Sequence, residues 1–406
     1  MSNKPKLWTK DFIMVATSNF LLFISFYMLI VTLAIYAVDE FDASQSQAGL
    51  ASSIFVLGAV LVRPVAGRII DKVGKKNLLL VGLALFLVFM LFYFPVNNLA
   101  ALLVIRFIHG FAFGISTTAT STIAADIIPI VRRGEGMGYF ATSTNLAMAI
   151  GPFLGLYISQ HFNNPMIFIA TTVFAAVALI ATVFLRVPKV DAVKDSFIGK
   201  GKGFHFSDYF EKTTIPIAIL VAVVGFVYSS ILSFFSAYAA EINLVDAASF
   251  FFIMYAIFLV ASRPFTGRFF DAKGENSVVY PSLLLFAVGL VILSQASVGI
   301  SLLIAGAVIG VGFGTFQSSA QTIAVNKASR HRIGLATSTF FVFFDFGIGV
   351  GPFLLGFVLP FIGFRGLYIA MAAIVILSIW IYYIVHGKKA AEQRRITMDS
   401  TETKIS

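Results

Sequence analysis

The chain has 406 residues, of which 59% are apolar and only 12% charged, and its mean hydropathy is +0.93. A soluble domain is about 45–50% apolar and ~25% charged, so there is too little polar surface to coat a water-soluble globule, and lipid must face most of the chain. Cysteine is absent, which excludes disulfides, thiolate chemistry and Cys-ligated metal or iron–sulfur centres. The net charge of +10 is spread over many short loops, which marks membrane topology and argues against a nucleic-acid partner.

The first apolar block runs from Phe12 to Val38. It is longer than a signal-peptide core of about 7–15 residues and no small-residue cleavage site follows, so it is expected to be retained as a spanning helix. A hydrocarbon core needs roughly 20 residues of helix, and backbone groups inside it must be satisfied internally. Twelve blocks meet that need: 12–38, 47–66, 77–95, 99–125, 137–158, 165–186, 214–238, 248–266, 278–296, 300–324, 335–360 and 366–386. The expected fold class is an all-α integral membrane protein with twelve transmembrane helices in two pseudo-symmetric six-helix bundles. The bundles span 1–186 and 214–386, joined by a charged linker over 187–213 and followed by a tail over 387–406.

Twenty-five of the 29 Lys and Arg residues fall in the N-terminus, the even-numbered loops and the tail. Only Arg365 falls on the other side, and Arg63, Arg106 and Arg263 lie within spans. By the positive-inside rule both termini are expected to be cytoplasmic, in a cytoplasmic membrane.

The halves repeat at an offset of 200 residues. Arg63-Pro-Val-Ala-Gly67-Arg68-Ile-Ile-Asp71-Lys-Val-Gly74 returns as Arg263-Pro-Phe-Thr-Gly267-Arg268-Phe-Phe-Asp271-Ala-Lys-Gly274. Gly110–Gly114 returns as Gly310–Gly314, Thr122-Ile-Ala124 as Thr322-Ile-Ala324, and Gly151-Pro-Phe-Leu as Gly351-Pro-Phe-Leu. With six helices in each unit, both copies enter the membrane the same way round, which is the parallel repeat of a two-lobed transporter.

On these residues the chain resembles the major facilitator superfamily over essentially its full length. Gly67-Arg-Ile-Ile-Asp71-Lys-Val-Gly74-Lys-Lys76 matches that family's G-x-x-x-D-x-x-G-[RK]-[RK] signature between the second and third helices. Arg106-Phe-Ile-His109-Gly110 resembles its R-x-x-Q-G, and Ala147-Met-Ala-Ile-Gly151-Pro152-Phe-Leu-Gly155 resembles a motif associated with its antiporter branches, with Ala147 in place of the usual first glycine. Taken together, the chain resembles the drug:proton antiporter group with twelve spans. The resemblance implies a cytoplasmic gate built from Gly67, Arg68, Asp71, Gly74, Gly267, Arg268, Asp271 and Gly274. Helices five and eleven present their positive dipole ends to these loops, so Asp71 is expected to cap helix eleven and Asp271 helix five, as contacts across the halves. The Gly-Pro residues Gly151, Pro152, Gly155, Gly351 and Pro352 are expected to kink helices and allow close approach at the interface between the halves.

Ionisable groups inside a bilayer are costly and functional by default. Asp345, ten residues into the eleventh span, is the one carboxylate clearly inside a span, and it is the leading candidate for proton coupling. Arg106 and His109 share a face of the fourth helix, and the resemblance places that helix on the cavity. They are the other coupling candidates, since imidazole titrates near neutral pH. The first helix carries no acid, a departure from many multidrug antiporters of the family, and Asp126 and Glu241 are the reserve carriers. The resemblance lines the substrate cavity with helices one, four, seven and ten, which carry Asn19, Tyr27, Thr117, Ser121, Tyr228, Ser233, Gln317 and Gln321.

The expectation is therefore a monomeric, proton-driven exporter of a small amphipathic molecule, needing no cofactor and no metal. No nucleotide-binding loop, His-rich metal spacing or nucleophile–base pair suggests an enzyme. A proton symporter importing a sugar or organic acid is the first rival, and a non-transporting receptor on the same fold is the second.

Overall fold

The computed structural model describes residues 5–43, 45–162, 165–187, 206–392 and 394. Most of the linker, 188–205, and the tail beyond 394 lie outside the described residues. Among the described residues all regular structure is helical. In chain order the helices are α1 (Lys10–Phe41), α2 (Gln45–Val73), α3 (Lys75–Leu91), α4 (Leu99–Ile127), α5 (Arg133–His161), α6 (Pro165–Val183), α7 (Ile215–Glu241), α8 (Val245–Lys273), α9 (Asn276–Ser294), α10 (Gly299–Lys327) and α11 (Ile333–Tyr382). The last is 50 residues long and is broken at Gly363, whose φ of +65° and ψ of 175° are not helical. Its two arms correspond to the last two apolar blocks, so twelve helical rods are present among the described residues. Nine stretches there are long and apolar enough to cross a membrane. The α3 helix, at 17 residues, is short of that length.

The sequence repeat becomes a repeat of element boundaries. Helices α2 and α8 start at 45 and 245 and end at 73 and 273; α4 and α10 run over 99–127 and 299–327. Short 3-10 turns at Ile130–Arg132 and Arg330–Arg332 lead into α5 and α11. The signature stretch expected to be a loop is helical up to Val73 and again from Lys75, interrupted only at Gly74. Gly74 has φ +89° and Gly274 φ +82°, a region that side chains with a Cβ rarely enter. The chain therefore turns at this residue in each copy, which explains why both are glycine.

Contacts divide the chain into two compact units that do not follow the linear halves. One comprises Met1–Pro129, Thr142–Thr213 and Ala328–Asp345; the other comprises Ile130–Ala141, Thr214–Lys327 and Phe346–Ser406. The first turns of α5 thus pack in the second unit, and the first half of α11's leading arm packs in the first. Within the first unit α4 packs on α2 and α3, and α1 on α6; within the second, α10 packs on α8 and α9. Lipid offers no hydrophobic drive for such contacts, so close backbone approach at small residues has to supply it. A Cβ added at Gly110 would meet the Ala59 nitrogen at 3.1 Å, and one at Gly310 the Tyr255 Cα at 2.9 Å. These recurrent glycines are where α4 crosses α2 and α10 crosses α8.

Candidate functional site

In the first unit a buried ion pair joins α2 to α11. Arg63 donates to Asp345 Oδ2 through Nε (2.9 Å) and Nη2 (2.8 Å), and through Nη1 to Thr117 Oγ1 on α4 (3.0 Å). Thr117 in turn donates to the Phe113 carbonyl at 2.8 Å, and the guanidinium lies 4.6 Å from the Phe341 ring centroid. Arg63 is 1% exposed while the Asp345 side chain is 17% exposed, so the acid has the freer access to a proton. Of the residues expected from the sequence, two thus gather here: Asp345 and Thr117. Arg63 was not among them. The signal available was its recurrence as Arg263 inside a span, because a membrane-embedded arginine requires a partner.

The repeat is asymmetric at this point. Arg263 donates to Ser318 Oγ (2.5 Å) and to the Gly314 carbonyl (3.2 Å), and the counterpart of Asp345 is Asn145. A carboxylate on this face of the eleventh helix therefore has no equivalent on the fifth.

Arg106 and His109 lie elsewhere in the same unit, both fully buried. Arg106 Nε donates to the Ala51 carbonyl (3.1 Å) and its guanidinium sits 4.4 Å from the Phe55 centroid, beside Tyr93. The His109 Nδ1 shares a 3.0 Å hydrogen bond with the Tyr93 hydroxyl, and its ring packs against Phe55 and Phe86. They form a packed aromatic cluster with no contact to the Arg63–Asp345 pair among the described residues.

Other expected cavity residues serve mixed purposes. Asn19 is a hub: its Nδ2 donates to Ser143 (2.9 Å) and Thr144 (3.0 Å) of α5, and Thr120 of α4 donates to its Oδ1 (2.9 Å). Ser121 and Gln321 are buried, and Tyr228 stacks on Phe313 at 3.7 Å between centroids. Gln317 is buried with no partner for its Oε1 among the described residues, and Ser233 is exposed. A cleft of about 130 Å³ opens between α8, α9 and α10 around Phe265, Pro281 and Thr315. A second, of about 360 Å³, lies around Asp271, Glu275 and Arg394. The expected cavity residues line neither.

The signature motif ends of the two units also differ. In the second unit Asp271 accepts from the backbone of Gly134 (2.8 Å) and Glu135 (3.0 Å), capping α5 as the motif implied. Glu135 completes the cluster by accepting from Arg132 (2.8 Å) and pairing with Arg268 at 3.4 Å, while Gly267 lets α8 approach its backbone. In the first unit the corresponding cap is not made among the described residues. Asp71 pairs instead with Lys75 at 3.6 Å, one turn along, and Lys75 also pairs with buried Asp126. Gly67 packs against Ser338 of α11, and Arg68 turns to the linker, binding Tyr209 (2.6 Å) and Asp208 (3.2 Å). The Gly-Pro motifs likewise depart from expectation. Gly151 and Gly155 pack on Tyr27 and Met28 of α1, and Gly351 on Ser229 of α7, each inside its own unit. Pro152 and Pro352 lie within α5 and α11.

Burial alone would raise the Glu135 carboxyl, but the hydrogen bond and charge of Arg132, with Arg268 behind it, hold it below the usual carboxylate range. The sign follows from linkage: stability from these pairs is present above the unfolded-state value and is lost as pH falls through the lowered one. Glu135→Gln is expected to flatten the acid limb of a melting-temperature profile recorded between pH 3 and 6 (about the carboxylate range). An unchanged acid limb would show that these pairs contribute nothing.

The sequence pattern of the Major Facilitator Superfamily matches residues 15–277 and 217–402. The chain belongs to this superfamily. The facilitator fold is seen again in solved structures: the human organic anion transporter MFSD10 (TETRAN) has a TM-score of 0.74 at 16% identity, over 93% of this chain and all 100% of that one. FucP, in the outward conformation, has a TM-score of 0.72 at 16% identity, over 94% of this chain and 99% of that one. Among curated facilitators, the quinolone resistance protein NorA of Staphylococcus aureus is 24% identical over 346 residues, 83% of this chain and 87% of that protein. An uncharacterized MFS-type transporter of Methanocaldococcus jannaschii is 24% identical over 347 residues, 83% of this chain and 88% of that one. This chain is accordingly an integral membrane transporter and not an enzyme.

Proposed function

We propose that this transporter exports a small amphipathic molecule in exchange for protons, from a cytoplasmic membrane in which both its termini face the cytoplasm. The observation that carries the reading is the Arg63–Asp345 pair: a carboxylate inside the membrane, partly accessible, held by a buried arginine. When Asp345 is charged it ties α2 to α11. A proton on it removes the charge from that tie and weakens it, while Arg63 keeps its bond to Thr117 and its carbonyl keeps the Ser338 hydroxyl. A ligand or proton shifts the balance between two arrangements only by binding one better than the other, and this pair differs between its two protonation states. Similarity to a quinolone resistance protein and the Gly151-Pro152 motif support export over import. The abundance of Phe, 45 residues, suits an apolar substrate body. The proton gradient serves as the energy source, with no bound cofactor and a single chain as the working unit.

Proteoliposomes with a sided substrate and an imposed pH gradient provide the test. Protons and substrate moving in opposite directions support antiport. Movement together establishes the symport alternative, and binding without flux establishes a receptor.

A further inference from the structure

The two motif ends contain the same arginines but not the same acids. In the second unit Arg132 and Arg268 share one acceptor, Glu135. Their counterparts in the first unit are Arg332 and Arg68, and the residue at the position of Glu135 is Leu335. Two arginines have therefore lost the carboxylate that their copies share. The described part of the linker supplies the replacements. Glu211 accepts from Arg332 Nε, and the Ser207 carbonyl accepts from its Nη2 at 2.8 Å. Asp208 pairs with Arg68 at 3.2 Å, while the Tyr209 hydroxyl accepts from Arg68 Nη1 and its ring lies 4.6 Å from the guanidinium carbon.

The segment is built for this position. A 3-10 turn at Phe206–Asp208 and stacked Phe206 and Phe210 rings, 4.6 Å apart, shape it. The Glu211 backbone N–H donates to Thr339 Oγ1 on α11 at 2.9 Å, and Thr213 donates to Glu211 Oε1 through both N–H (3.2 Å) and hydroxyl (2.8 Å). The Glu211 side chain is 8% exposed. A carboxylate so enclosed and so fully bonded is not a solvated linker charge.

We propose that residues 206–213 form a strap that holds the motif end of α2 to the start of α11, with Glu211 and Asp208 as positioning residues that replace the acid lost at Leu335. This rests on the transporter reading above, in which α2 and α11 must part and rejoin during each cycle. The strap makes the linker part of that step and gives the first unit a releasable contact where the second has a cap made by its own motif.

The absence of native cysteine allows a direct test. Ser338, fully buried where Gly67 contacts α11, is changed to the near-isosteric cysteine, and its labelling by a water-soluble maleimide is timed in membranes. Glu211→Gln is expected to raise the labelling rate by about tenfold, the effect of losing a charge-assisted hydrogen bond. Adding Leu335→Glu to that variant is expected to bring the rate back toward the parental one, because Glu at this position is what the other unit uses. Tyr209→Phe, which keeps the ring and removes only the hydroxyl, is expected to give a smaller rise, about threefold, and holds even if Glu211→Gln does not fold. Parental labelling rates in Tyr209→Phe and Asp208→Asn would overturn the strap, as would a Glu211→Gln rate that Leu335→Glu leaves unchanged. The readout needs no substrate or proton gradient, so failure of the antiport reading would appear in flux and leave this result standing.

Discussion

Asp345→Asn is expected to abolish uphill transport driven by a pH gradient while leaving downhill exchange of substrate measurable. Asn matches the neutral carboxylic acid in shape but cannot gain or lose a proton, so the two arrangements no longer differ in proton affinity. The substitution also leaves Arg63 charged, 1% exposed and without its carboxylate. Removing one member of a buried pair costs about 3–5 kcal/mol, and the lower end applies here because the Asn carbonyl still accepts from Arg63. Coupling and stability therefore have to be separated. Pairing Arg63→Gln with Asp345→Asn removes the orphaned charge and is expected to recover most of the lost melting temperature without recovering coupling, the non-additivity of residues in one contact. Uptake into proteoliposomes with and without an imposed gradient, beside thermal unfolding in detergent, reads both quantities. Unchanged gradient-driven uptake in Asp345→Asn would remove this acid from the mechanism, and Asp126 and Glu241 would then be examined.

Much of this arrangement could be read from the chain because it is local or repeated. Apolar blocks and the 200-residue offset located the helices, down to the break at Gly363 between two expected spans. The Asp271 cap was legible because the repeated motif marks the acid and the start of the fifth helix offers its dipole to it, although the two lie 137 residues apart. Its failure at Asp71 was not: the motif's own Lys75, one turn away, takes the acid, and two residues outside the motif, Leu335 in place of an acid and Asp208 of the linker, change the partners of its arginines. The Arg63–Asp345 pair joins residues 282 apart in sequence, and no periodicity reports such a distance. His109 stood where a titrating group was expected, but three aromatic rings and the Tyr93 hydroxyl surround it. The glycines of the Gly-Pro motifs point to a boundary between halves, yet they pack on α1 and α7 inside each unit. Small residues announce close packing without saying against what.

Gly110→Val is expected to destabilise the protein by about 3 kcal/mol or more, at or above the upper end of the usual range for overpacking. The reason is what the new side chain would meet. A Cβ at 110 would lie 3.0 Å from the Phe55 carbonyl carbon and 3.1 Å from the Ala59 nitrogen, and neither can rotate away as a side chain would. Relief requires α2 and α4 to separate, and with them Arg63 and Thr117, which bridge the same two helices at 3.0 Å. Gly310→Val should behave alike, because the Tyr255 Cα stands 2.9 Å from the corresponding Cβ. The control is Gly356→Ala in α11, where nothing lies within 4 Å of an added Cβ; there the gain in helix propensity, about 1 kcal/mol, is unopposed and a small stabilisation is expected. Melting temperatures of the three purified variants check the order. If Gly110→Val melted with the parent, α2 and α4 would not cross at this glycine, and the platform that positions Arg63 against Asp345 would have to be built another way.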